Sequence, residues 1–443
     1  MRDVPRREQR LGFGLLLACI VQNAPSTADR AAAWREEKLE RQVSALATAC
    51  DLEPALPLAR PFDPRKLHVD TTVSASEELE QLAGILREAE SLVSRDPKAT
   101  YPISRGRVAE RLALFPWRFG VSPHDVAGWD AVAAGAGRVL SYMAAQGQPG
   151  ERDDWGRLLQ AQLLDVCGRR DESEALLDSF VTHGTGCGNC TAGRNDGLAL
   201  ARSVLAERRG QLDQAVLLLG DALCDDYGFG LRLDDAHVTR FGLLLLATGN
   251  AELGSCLLQR VVDLCPRTPG AEVARAALDQ VGALRPPTFE RLRALYVDVP
   301  EAEARFKSQA VRALGEHGFP ESYAFLLQAR LDGDDTALAA LARLGDERCR
   351  ELFEYTLRVK DVSEVLTALE GLELLDGGAR PYLREALLSV RLFHGDDRYV
   401  GDAWLDKPLR RICGGGPDPE VALSGKPAEF FDSWLAWLEV NGL

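Results

Sequence analysis

The chain has 443 residues, 46% of them apolar and 27% charged, so it is long enough for several domains or a repeat array and too apolar for extensive disorder. Its 67 Asp and Glu outweigh its 52 Lys and Arg, for a formal net charge of −15. With no basic stripe beyond residue 10, that balance argues against a nucleic-acid partner, because binding a phosphate backbone needs clustered cations.

The first residues differ from the rest. "MRDVPRREQR" carries four arginines, and the 11 residues "LGFGLLLACIV" that follow have no polar side chain. That run is too short to cross a bilayer as a helix but has the length of the apolar part of a secretory signal. Leu16-Leu17-Ala18-Cys19 resembles a bacterial lipobox, which implies lipidation at Cys19 and an address at the bacterial envelope. The other reading of residues 1–24 is a first helix buried against its neighbours, in a cytoplasmic protein. Both readings stay open, and a membrane enters only through the anchor at Cys19.

Residues 25–73 hold a predicted helix, "ADRAAAWREEKLERQVSALATAC", and a connector, "DLEPALPLARPFDPRKL", whose four prolines favour extended backbone. From residue 74 helical periodicity dominates. Ser74 and Glu77 have capping-box spacing, and Leu79, Leu82, Ile85 and Leu86 recur at three- and four-residue steps as one apolar face. Strand-type alternation is nearly absent, so the predicted fold class is all-α.

Three stretches between residues 74 and 283 share a theme: "VCGRRDESEALLDSF", "ERRGQLDQAVLLLGDAL" and "LATGNAELGSCLLQRVV". In each, a helix ends at a glycine (Gly168, Gly210, Gly249), a short polar turn follows and a second apolar-faced helix begins. Glycine adopts the left-handed conformation that closes a helix without steric penalty. The glycines are 42 and 39 residues apart, longer than the ~34 of a tetratricopeptide unit. "GQLDQAVLLL" and its counterparts loosely resemble that family, and two antiparallel helices per unit is the common element.

One segment interrupts the pattern. "HGTGCGNCTAG" places Cys187 and Cys190 in a C-x-x-C spacing with His183 upstream. A zinc site would draw on His183, Cys187, Cys190 and Cys224, the last in "ALCDDYG" one helical hairpin further on; no second C-x-x-C is present. A redox reading would use the dithiol at the start of the helix predicted from Ala192, although the usual βαβ context is missing. The favoured reading is a structural clip, with the motif organising a loop between two repeats. The other cysteines sit mostly in apolar helical stretches, as Cys167 and Cys256 do, where a thiol behaves as a small hydrophobe.

Other chemistry is sparse. H-E-x-x-H, G-x-S-x-G and Walker A motifs are absent, so no catalytic residue is assigned. Asp234, Asp235 and His237 lie together beside a helix start and read as a cap and a solvated polar face. His68, His124, His317 and His394 stand in separate segments as surface or satisfied core residues.

"LRPPTFE" opens a predicted linker, residues 284–301, since Pro286 and Pro287 deny helical geometry to Arg285. Beyond it the period shortens. "AVRALG" (310–315), "ALARLG" (340–345) and "VLTALEG" (ending at Gly371) each read as the end of a first helix followed by a second. Asp334-Asp335 opens a unit from its N-terminus, where the helix dipole favours negative charge. The chain closes with "PLRRICGGGPDPE" and "FFDSWLAWLEVNG"; Phe430, Phe431, Trp434, Leu435, Trp437 and Leu438 there form a wide apolar face suited to capping an array.

These glycine-ended pairs and the Trp-containing terminal helix resemble the short HEAT-type repeats of bacteria, the variety also found in phycobilisome lyases, over residues 302–443. Together with the tetratricopeptide-like region at 74–283, the resemblance implies an α-solenoid of antiparallel helical hairpins. It further implies a non-catalytic protein–protein interaction scaffold whose partners are other proteins or peptides. The alternative expectation is a metal-binding, redox or lyase-like module built on Cys187 and Cys190, with zinc as the cofactor.

Overall fold

The computed structural model describes residues 58–95, 107–145, 154–180, 188–223, 236–297, 304–359, 361–375, 378–394, 405–418 and 427–443. Among these residues the protein is all-α, with nineteen α-helices, a few short 3-10 turns and no strand.

The N-terminal third begins with α1 (Ala75–Arg95), α2 (Arg107–Phe119) and α3 (Trp129–Ala145). The α1 start is the capping box read from the sequence. The Ser74 amide donates to Glu77 Oε2 at 2.7 Å, and the Glu77 amide donates to Ser74 Oγ at 3.3 Å. Leu79, Leu82 and Leu86 are fully buried, with Ile85 packed at the edge of the same cluster.

Three hairpins follow: α4 (Asp154–Val166) with α5 (Arg170–Asp178), α6 (Gly188–Arg208) with α7 (Leu212–Leu223), and α8 (Ala236–Ala247) with α9 (Ala251–Leu264). At each junction the predicted glycine has positive φ: +76° at Gly168, +72° at Gly210 and +90° at Gly249. The residue after each glycine donates back five positions, Arg169 to Leu164, Gln211 to Ala206 and Asn250 to Leu245, which satisfies carbonyls the helix end leaves open. The α8–α9 pair packs most closely. A Cβ on Gly242 would lie 2.8 Å from Leu258 Cδ2, and one on Gly254 would lie 2.8 Å from the Gly242 carbonyl oxygen.

Next come α10 (Pro269–Val281), α11 (Phe289–Val297), α12 (Ala304–His317), α13 (Ser322–Leu331) and α14 (Thr336–Leu344), then α15 (Arg350–Thr356) and α16 (Val362–Leu374). α17 (Leu383–His394), α18 (Asp406–Cys413) and α19 (Pro427–Val440) complete the chain. α12, α14 and α16 pack on one another in series, with the second helices α13, α15 and α17 beside them. Gly345 is the left-handed cap of α14, as predicted. Gly315 and Gly371 correct the prediction, because both lie inside helices. Gly315 meets the α14 backbone, where a Cβ would sit 2.2 Å from the Ala340 carbonyl oxygen, and Gly371 faces the Phe353 ring. The left-handed residue closing α12 is Gly318 instead. A glycine after an apolar run reads alike whether it ends a helix or lets a neighbouring helix approach.

At the C-terminus, Phe430, Phe431, Trp434 and Leu438 are buried, with Leu435 and Trp437 packed at the edge of the core. Trp434 Nε1 donates to Asp406 at 3.1 Å, Arg410 pairs with the same carboxylate at 2.6 Å, and Gly416 lies under the indole.

One continuous apolar core runs from Leu114 to Leu438. It continues through residues 284–297, where α11 supplies the buried Leu292 and Leu295. Nor is the packing purely serial. α2 docks on α8 and α10, more than a hundred residues downstream, and residues 58–73 run back along α10.

Candidate functional site

The end of α2 is a meeting point of elements far apart in sequence. Arg118 is buried between Glu78 of α1, at 2.8 Å, and Glu272 of α10, at 2.7 Å, and Arg111 joins on Glu78 at 2.5 Å. Two cations face two carboxylates, so the cluster is electroneutral. Removing one partner from such a buried group strands a charge and costs roughly 3–5 kcal/mol. On the preceding residue, Trp117 Nε1 donates to Glu207 at 2.6 Å, and Glu207 pairs with the fully buried Arg240. Arg240 Nη1 in turn lies 2.9 Å from His237 Nδ1. An arginine only donates, so Nδ1 accepts and the imidazole is neutral. Burial and the Arg240 charge both hold the His237 pKa well below its ordinary value.

This corrects the expectation for His237. It is not part of a solvated face but is buried, joined through Arg240 and Glu207 to Trp117. Asp234 and Asp235 lie outside the described residues.

Residues 58–73 lie along α10, with Phe62 reaching Trp117 of α2. The Ala59 amide donates to the Val281 carbonyl at 2.9 Å, one of the carbonyls left open at the end of α10. The Gln280 side chain reads both backbone groups of Asp63: its oxygen accepts from the amide at 3.2 Å and its Nε2 donates to the carbonyl at 3.0 Å. Thr72 donates to Glu272 Oε1 from Oγ1 at 2.7 Å and from its amide at 3.4 Å. Phe62 stacks on Trp117 with ring centroids 6.4 Å apart, and Leu58, Leu67 and Val69 rest on the core.

A second polar site lies where α10 hands over to α11. Cys256, Gln259, Arg260, Asp263, Arg285, Arg291 and Leu295 line a cavity of about 20 Å³, room for one water molecule. Gln259 again pairs with both backbone groups of one residue, accepting from the Arg285 amide at 2.9 Å and donating to its carbonyl at 3.0 Å. Asp263 accepts from Arg291 at 2.6 Å and from Gln259 at 3.0 Å, while its own carbonyl accepts from His317 Nε2 at 2.9 Å. Burial pushes the Asp263 carboxyl above its ordinary range, against the pull of Arg291 and Gln259. The Pro286–Pro287 turn is therefore clamped to α9. Sequence reasoning passed over Gln259 and Asp263, whose only signal is polarity inside the apolar stretch "LLQRVVDL".

Of the residues singled out by spacing, His183, Cys187 and Cys224 lie outside the described residues, as does Cys19. Cys190 falls on the first turn of α6, which begins at Gly188 rather than Ala192, and its side chain lies outside the described set. Among the described residues no group of three or more His, Cys, Asp and Glu side chains is placed to hold a metal ion. Cys256, Cys265 and Cys349 are buried and Cys167 and Cys413 half-buried, and burial pushes the Cys349 thiol up to about 12. His317 and His124 are both partnered, His124 packing edge-on against Trp129 at 4.2 Å, and His68 is exposed. No helix among the described residues is long and apolar enough to cross a membrane.

The chain matches no family model, and no curated protein and no solved structure matches it.

Proposed function

We propose that the protein is a non-catalytic scaffold for protein–protein interaction, an α-solenoid with tetratricopeptide-like hairpins over about residues 74–283 and HEAT-like pairs over about 302–443. The observation that carries this reading is the set of exposed apolar side chains on successive second helices. Leu331 of α13, Tyr355 of α15, and Leu388 and Leu392 of α17 all face solvent.

Side chains in or beside these helices link each one to the next. Arg348 stacks on Tyr323 at 4.0 Å, Tyr382 donates to Glu354 at 2.6 Å, and Arg358 pairs with Glu385 at 2.7 Å. Recognition on such a surface is spread over several repeats and needs no converging reactive groups. Exposed apolar side chains on successive helices of a stack are the kind of surface through which such folds bind partners. The net charge of −15 favours a partner with a basic or amphipathic face.

Affinity capture followed by mass spectrometry, comparing the wild type with Leu331→Asp/Tyr355→Asp/Leu392→Asp, tests the reading. Partners held by the wild type and lost by a folded triple variant support it. An identical set on both, or turnover of a small molecule by the purified chain, would remove it.

A further inference from the structure

We propose that residues 58–73 are an internal occupant of a peptide-binding groove between α2 and α10. The groove's external partner is then a proline-containing segment of another protein with the same pattern of anchors. The proposal rests on the scaffold reading and names one surface and one class of ligand within it.

The contacts are those of a bound peptide rather than of a core element. No residue from 58 to 73 is fully buried; Leu58, Phe62, Leu67 and Val69 are half-buried against the core and most of the rest of the segment is exposed. Much of its polar recognition is directed at backbone. Val281 accepts the Ala59 amide, and Gln280 grips both main-chain groups of Asp63, contacts that any extended chain can supply. Specificity comes from shape. At Gly282 a Cβ would lie 2.8 Å from Ala59 Cβ, so a small residue fits there. Three positions on, Phe62 stacks on Trp117 at an interplanar angle of 20°.

Pro61 and Pro64 fix φ and reduce the entropy lost on docking, the property that other grooves exploit in proline-rich ligands. Asp63 accepts from the Arg65 amide at 3.1 Å and so caps the one 3-10 turn in the segment, Pro64–Lys66. The pattern small-x-Pro-aromatic-Asp-Pro, as in "ARPFDP", is accordingly the signature expected of the partner.

Competition follows directly. While the internal segment sits in the groove, a second peptide binds only to the open fraction, and its apparent affinity falls by that fraction. The test uses full-length protein and a fluorescent peptide with the sequence of residues 56–73. Phe62→Ala/Leu67→Ala loosens the internal segment and leaves the groove intact. At least tenfold tighter peptide binding to this variant than to the wild type is expected, lost again when Gln280→Ala is added.

Hydrogen exchange at the amides of Ala59, Asp63 and Thr72 reports whether the segment has been released. Released amides without improved peptide binding would overturn the proposal, as would equal binding by variant and wild type. Amides that stay protected, or loss of the helical circular-dichroism signal, would also overturn it by making the segment part of the fold. None of these outcomes bears on the second-helix surface of α13, α15 and α17, so the scaffold reading stands or falls by its own experiment.

Discussion

Gly315→Ala puts a close backbone-to-backbone helix contact to the test. α12 and α14 meet backbone to backbone, and the added methyl would lie 2.2 Å from the Ala340 carbonyl oxygen and 2.9 Å from Ala340 Cα. Restoring ordinary van der Waals separation requires the two helices to part by about 1 Å. Alanine is favoured over glycine inside a helix by ~1 kcal/mol, whereas overpacking a filled interface costs ~1–3 kcal/mol. The obstacle here is main chain, which has no alternative rotamer, so the upper end applies. Parting the helices also loosens Ala310, Val311, Ala313 and Leu314 against Ala337, Leu338 and Leu341, all buried. The expected net loss is about 2 kcal/mol. Gly84→Ala is the control: inside α1, its new methyl would meet only the far end of Arg87 at 3.7 Å. That change is expected to stabilise by ~0.5–1 kcal/mol. Urea unfolding followed by circular dichroism, with native-state hydrogen exchange on α12 and α14 as the local readout, measures both. A Gly315→Ala protein as stable as Gly84→Ala would refute the close approach.

Three further outcomes are expected. His237 is buried and neutral, so its folded pKa lies below the unfolded value and its contribution is complete above pH 6.5 and lost on acidification. Between pH 7.5 and 5.5 the wild type should therefore lose more unfolding free energy than His237→Asn; parallel pH profiles would count against a buried neutral imidazole. In Gly416→Ala the new methyl would meet Trp434 at 2.8 Å and the Arg410 guanidinium at 2.9 Å. It should cost ~1–3 kcal/mol and change the near-ultraviolet circular dichroism, and an unaltered spectrum would contradict that packing. Purified protein should carry less than one equivalent of zinc, with Cys187→Ser and Cys190→Ser folding normally. One equivalent of zinc lost in both variants would transfer the reading to a metal-binding module.

What the sequence made legible was whatever has a local cause. The capping box at Ser74 and Glu77 and the left-handed glycines at 168, 210 and 249 depend on residues within a turn of each other, and all are present. The aromatic face of α19 was visible because helical spacing sorts Phe430, Phe431, Trp434 and Leu438 onto one side. Contacts between distant elements left no such trace. Glu78, Arg118 and Glu272 come from three helices and look like ordinary surface charges one at a time. His237 sits in a polar-looking stretch, yet it is buried on α8, the helix on which α2 docks from more than a hundred residues upstream. The C-x-x-C spacing drew attention because it is a local signature. The polar constellations among the described residues, around Trp117 and around Asp263, have no fixed spacing to announce them.

The docking of α2 on α8 and α10 bears on the order in which the chain matures. The 162 residues from Phe119 to Val281 must emerge from the ribosome before α2 has its full platform. At synthesis rates of ~5–20 residues per second that is a wait of about 10–30 s. During it Leu114 and Trp117 are without their final neighbours, and the nascent chain passes through an interval open to chaperones and to mispairing. Residues 58–73, translated before nearly everything they touch, settle among the last.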